Sequence, residues 1–178
     1  MLRIPDSAAF DAMRVTLQAD GYVPAKPTLV QVAALPAPVA AVAGPHVHVN
    51  MMPDEAWASV FLGKGFDPVD GASRVAILRR ARAAVFARAV VEGLTVAVGS
   101  ACFSHGWCGI HGMRTAPTWR GRGFAKAVLG ALESQARSRG ISRLFLQVEA
   151  DNTAAQALYR QRGFTSAWSY TYWKQPGS

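Results

Sequence analysis

Arg120, Gly121, Arg122, Gly123, Phe124 and Ala125 follow one another where a strand pattern gives way to a helix pattern. The apolar run Trp107 to Met113 reads as a strand, and Pro117 stops it, because proline has no N–H for a ladder. From Phe124 the apolar residues Ala127, Val128, Ala131 and Leu132 recur at helical spacing. A helix starting there leaves the N–H groups of Arg122, Gly123, Phe124 and Ala125 unpaired at the positive end of its dipole. Glycines let an anion approach the backbone, and two guanidinium groups stand beside it. The chemistry of such a turn is phosphate binding.

A second set of residues lies downstream. The apolar strand Leu144 to Val148 leads to Glu149, then Asn152, then a helix carrying Tyr159, then Gly163-Phe164. Tyr159 offers a phenolic proton and Glu149 a carboxylate. His111, on the first strand, offers an imidazole whose ordinary pKa suits proton uptake near neutrality. Each also has a plain structural reading. Asp151 or Asn152 is a good cap for the following helix, Tyr159 fits a helix's core face, and a histidine is often satisfied within a fold.

The two sets together, Arg120-x-x-Gly123-x-Ala125 and Asn152 through Tyr159 to Gly163-Phe164, resemble the GNAT superfamily of acyl-CoA N-acyltransferases. The resemblance is dense from Thr95 to Trp173, extends back to His46 and is obscure before that. It implies one α/β domain with a mixed, splayed sheet flanked by helices. It implies acetyl-CoA as cosubstrate and transfer of an acetyl group to an amine by direct attack in a ternary complex. Position by position, Met113, Arg114 and Thr115 match the strand end whose backbone holds the pantetheine arm. Arg120 to Ala125 match the pyrophosphate loop, and Asn152 a contact to the arm. Tyr159 matches the acid that protonates the departing thiolate. Some members carry a glutamate on the strand ending here at Thr115; this sequence has none, which leaves the base unassigned between His111 and Glu149.

Composition bounds the rest. The 178 residues suffice for one well-buried domain, with 51% apolar and 17% charged positions. The net charge of +8 favours anionic partners. Its basic residues sit singly or in pairs such as Arg79-Arg80, so nucleic acid is not expected as a partner. A small-molecule or peptide amine is the expected acceptor; a homodimer stays open. No run approaches the ~20 apolar residues of a membrane span, no signal peptide is visible, and a cytoplasmic protein is expected. Cys102 and Cys108 read as reduced thiols on paired strands. His46 and His48 lack a third ligand at metal-site spacing, so no metal is expected.

Along the chain, Ser7 caps a helix from Ala8 to Ala19, Gly21-Tyr22 ends it, and Thr28 to Leu35 reads as a strand. Residues 1–36 are thus a helix-strand appendage to a domain at 45–174. The appendage copies the order of the C-terminus (helix, glycine, aromatic, strand) and sets Leu17 where Tyr159 stands. It reads either as the tail of a degenerate acetyltransferase half, as in tandem members of the superfamily, or as an ordinary lead-in. Pro36 to Pro45 is a connector. His46 to Val49 is a strand, and helices run from Pro53 to Leu62, closed by Gly63 and Gly65, and from Arg74 to Ala81. The strands Ala84 to Val90, Leu94 to Phe103 and Trp107 to Met113, joined by Glu92-Gly93 and His105-Gly106, form an antiparallel meander. The helix Phe124 to Arg139 then crosses over to the strand Leu144 to Val148, which should lie parallel to the strand before it. Alternation along the third meander strand places His111 on the face of Gly109 and Met113. The late aromatics Trp168, Tyr170, Tyr172 and Trp173 suit a strand and could line an acceptor pocket, together with Trp107 and Trp119. Two rival readings are a non-catalytic acyl-CoA-binding module and, more distantly, a nucleic-acid-binding domain.

Overall fold

The computed structural model of the protein describes residues 1–37, 45–63 and 68–175. The chain opens with β1 (Leu2–Pro5), α1 (Asp11–Ala19) and β2 (Val23–Ala34), followed by β3 (Val47–Asn50), α2 (Glu55–Phe61) and α3 (Pro68–Arg79). Then come β4 (Ala84–Val91), β5 (Leu94–Ser104), β6 (Trp107–Thr115) and α4 (Phe124–Arg137). The end of the chain is β7 (Arg143–Glu149), α5 (Thr153–Gln161) and β8 (Thr165–Lys174). Residues 38–44 of the expected connector, and Gly65, lie outside the described residues.

The elements group into two compact units, Leu35 to Leu144 in one, and residues 1–34 with the chain from Phe145 onward in the other. In the first of these the strands lie in the order β6-β5-β4-β3, each antiparallel to its neighbour. The two predicted turns set that register. Glu92 and Gly93 have φ of 49° and 81°, and His105 and Gly106 50° and 75°, the left-handed pair of a type I′ turn whose twist matches its strands. On one face Trp57 and Phe61 of α2 pack with Val75 of α3 against Phe86 and Val98. Asp54 caps α2 by accepting the Trp57 N–H at 2.7 Å. The helix α3 begins at Pro68, a turn and a half ahead of the predicted Arg74. Proline suits a first helical position, and Gly71 is carried inside the helix instead of preceding it.

The other unit has the strand order β1-β8-β2-β7. β8 is antiparallel to both β1 and β2. The N-terminal strand β2 therefore sits inside this sheet, hydrogen-bonded on both sides, and is longer than predicted. β1 was not predicted: its four residues give no period to read. The chain enters α1 through a short 3-10 turn, Ala8–Phe10, and the Ser7 side chain makes no capping bond. Leu17 of α1 packs with Ile4 and Trp173. The helices α1 and α5 end alike. Gly21 and Gly163 are left-handed at 79° and 82°. Gly21 N–H donates to Gln18 O at 3.1 Å and Tyr22 N–H to Leu17 O at 2.9 Å. Gly163 N–H donates to Arg160 O at 3.0 Å and Phe164 N–H to Tyr159 O at 3.0 Å. This is the Schellman closure, which satisfies carbonyls a helix end leaves open.

Candidate active site

In the Leu35–Leu144 unit, the glycine turn has the backbone its sequence asks for. Gly121 and Gly123 adopt φ of 74° and 82°, conformations that cost most other residues ~1–2 kcal/mol. A Cβ on either would meet nothing within 4 Å, so conformation, not crowding, requires glycine, and the space above the turn is open. Gly123 is the N-cap of α4, and the Ala127 N–H donates to its carbonyl at 3.0 Å. The N–H groups before Ala127 precede the helical ladder. Buried Phe124 anchors the helix start. The Arg120 Nε–H donates to Thr115 O at 3.4 Å. The Arg122 guanidinium lies over the Trp119 ring at 5.0 Å, and Trp119 meets Phe124 edge-on at 5.6 Å. Trp119 thus fixes an arginine of the turn, a role sequence reasoning missed; its only signal was an aromatic three positions from Arg122.

The strand that leads to this turn is bulged. Val98 pairs with Arg114 and Ser100 with His111, so Gly112 and Met113 together oppose Gly99. A bulge leaves one residue outside the ladder and shifts the alternation of side chains. Gly112, at φ 61°, makes it possible, and a lone glycine inside a strand pattern was the signal for it. The bulge corrects one expectation. His111 pairs with Ser100, on the face covered by α2, whereas the Met113 sulfur lies over Gly99 beside Val128 and Leu132 of α4. His111 and Met113 are on opposite faces.

Three contacts fasten α2 to the bulge. The buried Trp57 Nε1–H donates to Gly99 O at 3.0 Å. The Phe61 ring, stacked on Trp57 at 4.9 Å, lies 3.2 Å from where a Gly112 Cβ would stand. The Arg114 guanidinium donates to Phe61 O at 3.0 Å and Gly63 O at 3.2 Å. Its side chain therefore serves the end of α2 and leaves only the Arg114 backbone on the strand. The Ser100 hydroxyl donates to His111 O at 3.1 Å, and burial pulls the His111 imidazole below its ordinary pKa. The same burial favours the neutral ring over the imidazolium. Burial pushes the Cys108 thiol up to about 12, and both cysteines are free. Neither is a thiolate nucleophile.

In the other unit, Tyr159 lies on the inner side of α5, 6% exposed, 5.8 Å from the Phe164 ring. Among the described residues its hydroxyl has no hydrogen-bond partner, and burial pushes the phenol up to about 12. It is a protonated phenol throughout the neutral range. The Asn152 side chain accepts the Ala155 N–H at 3.1 Å, so its capping role is real. Glu149 is exposed at the end of β7, 3.9 Å from the Lys26 ammonium. Trp168, Tyr170 and Tyr172 alternate along β8. Tyr170 donates to Gln147 Oε1 at 3.0 Å, and the Arg3 guanidinium covers the Tyr170 and Tyr172 rings at 5.6 and 5.3 Å. Trp173 belongs to the apolar cluster with Ile4 and Leu17.

Comparison with known proteins bears on the family and the fold. The model of the acetyltransferase (GNAT) family matches residues 55–164. The chain is 48% identical over 48 residues to a [ribosomal protein bS18]-alanine N-acetyltransferase of Haemophilus ducreyi, covering 27% of this chain and 33% of that one. It is 26% identical over 131 residues to an aminoglycoside N(6')-acetyltransferase type 1 of Stenotrophomonas maltophilia, covering 68% and 86%. The crystal structure of a GCN5-related N-acetyltransferase from Sphaerobacter thermophilus superposes with a TM-score of 0.73 at 23% identity, over 99% of this chain and 60% of that one. The chain therefore belongs to the GNAT acetyltransferase family and has the acyl-CoA N-acyltransferase fold. It spans about a third of the length of the first curated relatives it matches, 30%, 33% and 32%.

Proposed function

We propose that the protein transfers an acetyl group from acetyl-CoA to a primary amine. The observation that carries this reading is the pair of left-handed glycines, Gly121 and Gly123, opening α4 with uncovered space above them. Backbone N–H groups directed into that space suit the pyrophosphate of CoA, with Arg120 and Arg122 adding charge. The backbone of Met113 to Thr115, irregular at the bulge, suits the amide groups of the pantetheine arm. Asn152, already a cap, has further acceptor and donor capacity for the same arm.

In the reaction, the amine nitrogen attacks the thioester carbonyl, the carbon–sulfur bond breaks, and the thiolate leaves. Two protons move: one from the attacking nitrogen, one to the sulfur. Tyr159, a held and unspent phenolic proton, is the donor to sulfur. The neutral His111 is the first candidate to accept the proton from nitrogen, and Glu149, acting through water, the second. Two relatives bear names that specify amine acceptors, an alanine of ribosomal protein bS18 and an aminoglycoside. They support an amine acceptor, either a small molecule or a peptide, and the proposed site of action is the cytoplasm. Among the described residues no helix is long and apolar enough to cross a membrane.

The test is calorimetric titration with acetyl-CoA, with Gly123→Glu as the control. A carboxylate at a left-handed position beside the turn removes both the backbone geometry and the attraction for phosphate. Micromolar binding by the parent and none by a folded variant is the expected result. Equal binding by both would remove the turn from the cofactor site.

A further inference from the structure

Arginines scattered along the sequence meet at one end of the Leu35–Leu144 unit. The β5–β6 turn at His105-Gly106 carries Phe103 and Trp107 on its two arms, and Ser104 pairs with Trp107. Phe103 N–H donates to Ala83 O at 2.9 Å, which brings the start of β4, with exposed Arg82 and Arg80 just before it, beside the turn. From the other direction the last residues of α4 and the first of β7 arrive. The Arg139 guanidinium lies 4.4 Å over the Phe103 ring and the Arg143 guanidinium 4.8 Å over the Trp107 ring.

Arg80, Arg82, Arg139 and Arg143 are all exposed, and none makes an ion pair among the described residues. The Arg139 bonds go to neutral atoms, Gln135 O, Gln135 Oε1 and Ser138 Oγ. The acid on the same helix, Glu133, is 2% exposed and presents no charge to solvent. Four like charges gathered with no ion pair among the described residues repel one another, and a polyanion would offset that cost.

We propose that this end of the unit is a binding surface for single-stranded RNA. A guanidinium laid flat on an aromatic ring is fixed in orientation and keeps N–H groups at its rim for a phosphate. Its outer face remains a plane on which an unstacked base can lie. Two such stacks flanked by two more arginines match a run of phosphates and bases, as single-strand sites do. A carboxylate can pair with the N–H groups at the rim but has no ring to lie on the stacks. The absence of a basic run in the sequence, which argued against nucleic acid, does not carry over to space: contributions from the start of β4, the end of α4 and the start of β7 converge.

The experiment is fluorescence anisotropy of the full chain with a fluorescein-labelled oligouridylate of about 12 nucleotides, at salt between about 50 and 200 mM, with and without saturating acetyl-CoA. With four phosphate contacts the slope of log K against log salt is about −3, and Arg139→Gln/Arg143→Gln lowers it to about −1.5 with at least a tenfold loss at low salt. Acetyl-CoA leaves RNA binding in place. Displacement by acetyl-CoA would move the RNA to the glycine turn and overturn the proposal, as would an unchanged slope in the variant or no binding by the parent. Competition by poly-glutamate as strong as by unlabelled RNA would mean a generic acid-binding face, and would also overturn it. Should that variant fold poorly, Arg80→Gln/Arg82→Gln, whose side chains make no hydrogen bond among the described residues, gives the same reading. The acetyl-CoA titration of each variant reports on the cofactor site independently, so failure here leaves the acetyl-transfer reading untouched.

Discussion

The segments α1–β2 and α5–β8 are built alike, and one of them carries the candidate acid. Each is a nine-residue helix closed by a left-handed glycine and an aromatic residue before a strand, with the same closing hydrogen bonds. Their strands lie side by side, antiparallel. The residue whose carbonyl accepts the aromatic N–H is Leu17 in one and Tyr159 in the other, both buried. Leu17 shows that an apolar side chain suffices to close such a helix against its strand. The Tyr159 hydroxyl is therefore surplus to the architecture, and no hydrogen bond from a described residue holds it. A hydroxyl that the closure does not use favours a chemical role. The helix starts differ too: Asn152 caps α5, whereas no side chain caps α1 at Phe10.

The largest expected effect tests that surplus. Tyr159→Phe should lower kcat by about 10²-fold or more, the range for loss of a positioned acid, while acetyl-CoA affinity and thermal stability hold. Full turnover by the variant would make Tyr159 the mere counterpart of Leu17. A smaller effect tests the likeness itself. Gly21→Ala and Gly163→Ala each place a Cβ at a left-handed position with nothing within 4 Å, so the cost is conformational alone. Both should destabilise by about 1–2 kcal/mol, nearly equally, in denaturant unfolding. A much larger loss at Gly163 would break the equivalence. The smallest effect concerns the difference at the helix starts. Asn152→Ala should cost ~1 kcal/mol of stability, as lost caps do. A rise in KM for acetyl-CoA in a still-folded enzyme would add the cofactor role to the cap.

Legibility followed the range of the forces involved. The glycine turn could be read because Gly121 and Gly123 answer a local backbone demand, and the meander because two-residue turns and alternation are also local. The start of α3 was misplaced at Arg74 because the residues ahead of it, Pro68 and Gly71 among them, are types as common before a helix as in its first turns. Met113 was set on the wrong face because a period-2 reading has no means of inserting an extra residue, although Gly112 marked the place. The Arg114 bonds to the end of α2, the Trp119–Arg122 stack and the arginine cluster at the β5–β6 turn depend on residues far apart in the chain. Periodicity carries no trace of them.

The place of β2 has a consequence for how the protein comes into being. This strand leaves the ribosome more than a hundred residues ahead of both of its hydrogen-bonding neighbours, β7 and β8. At about 5–20 residues per second, it waits several seconds or more with two open edges while the intervening unit is made and can fold. Its bulge at Lys26, φ 47°, and the prolines Pro24 and Pro27 make it a poor template for stray strands in that interval. A chain cut to residues 55–164, the span matched by the family model, would keep the glycine turn and Tyr159 but lose β1, β2, β3 and β8. Of the strands that reach into the unit holding Tyr159, only β7 would be kept.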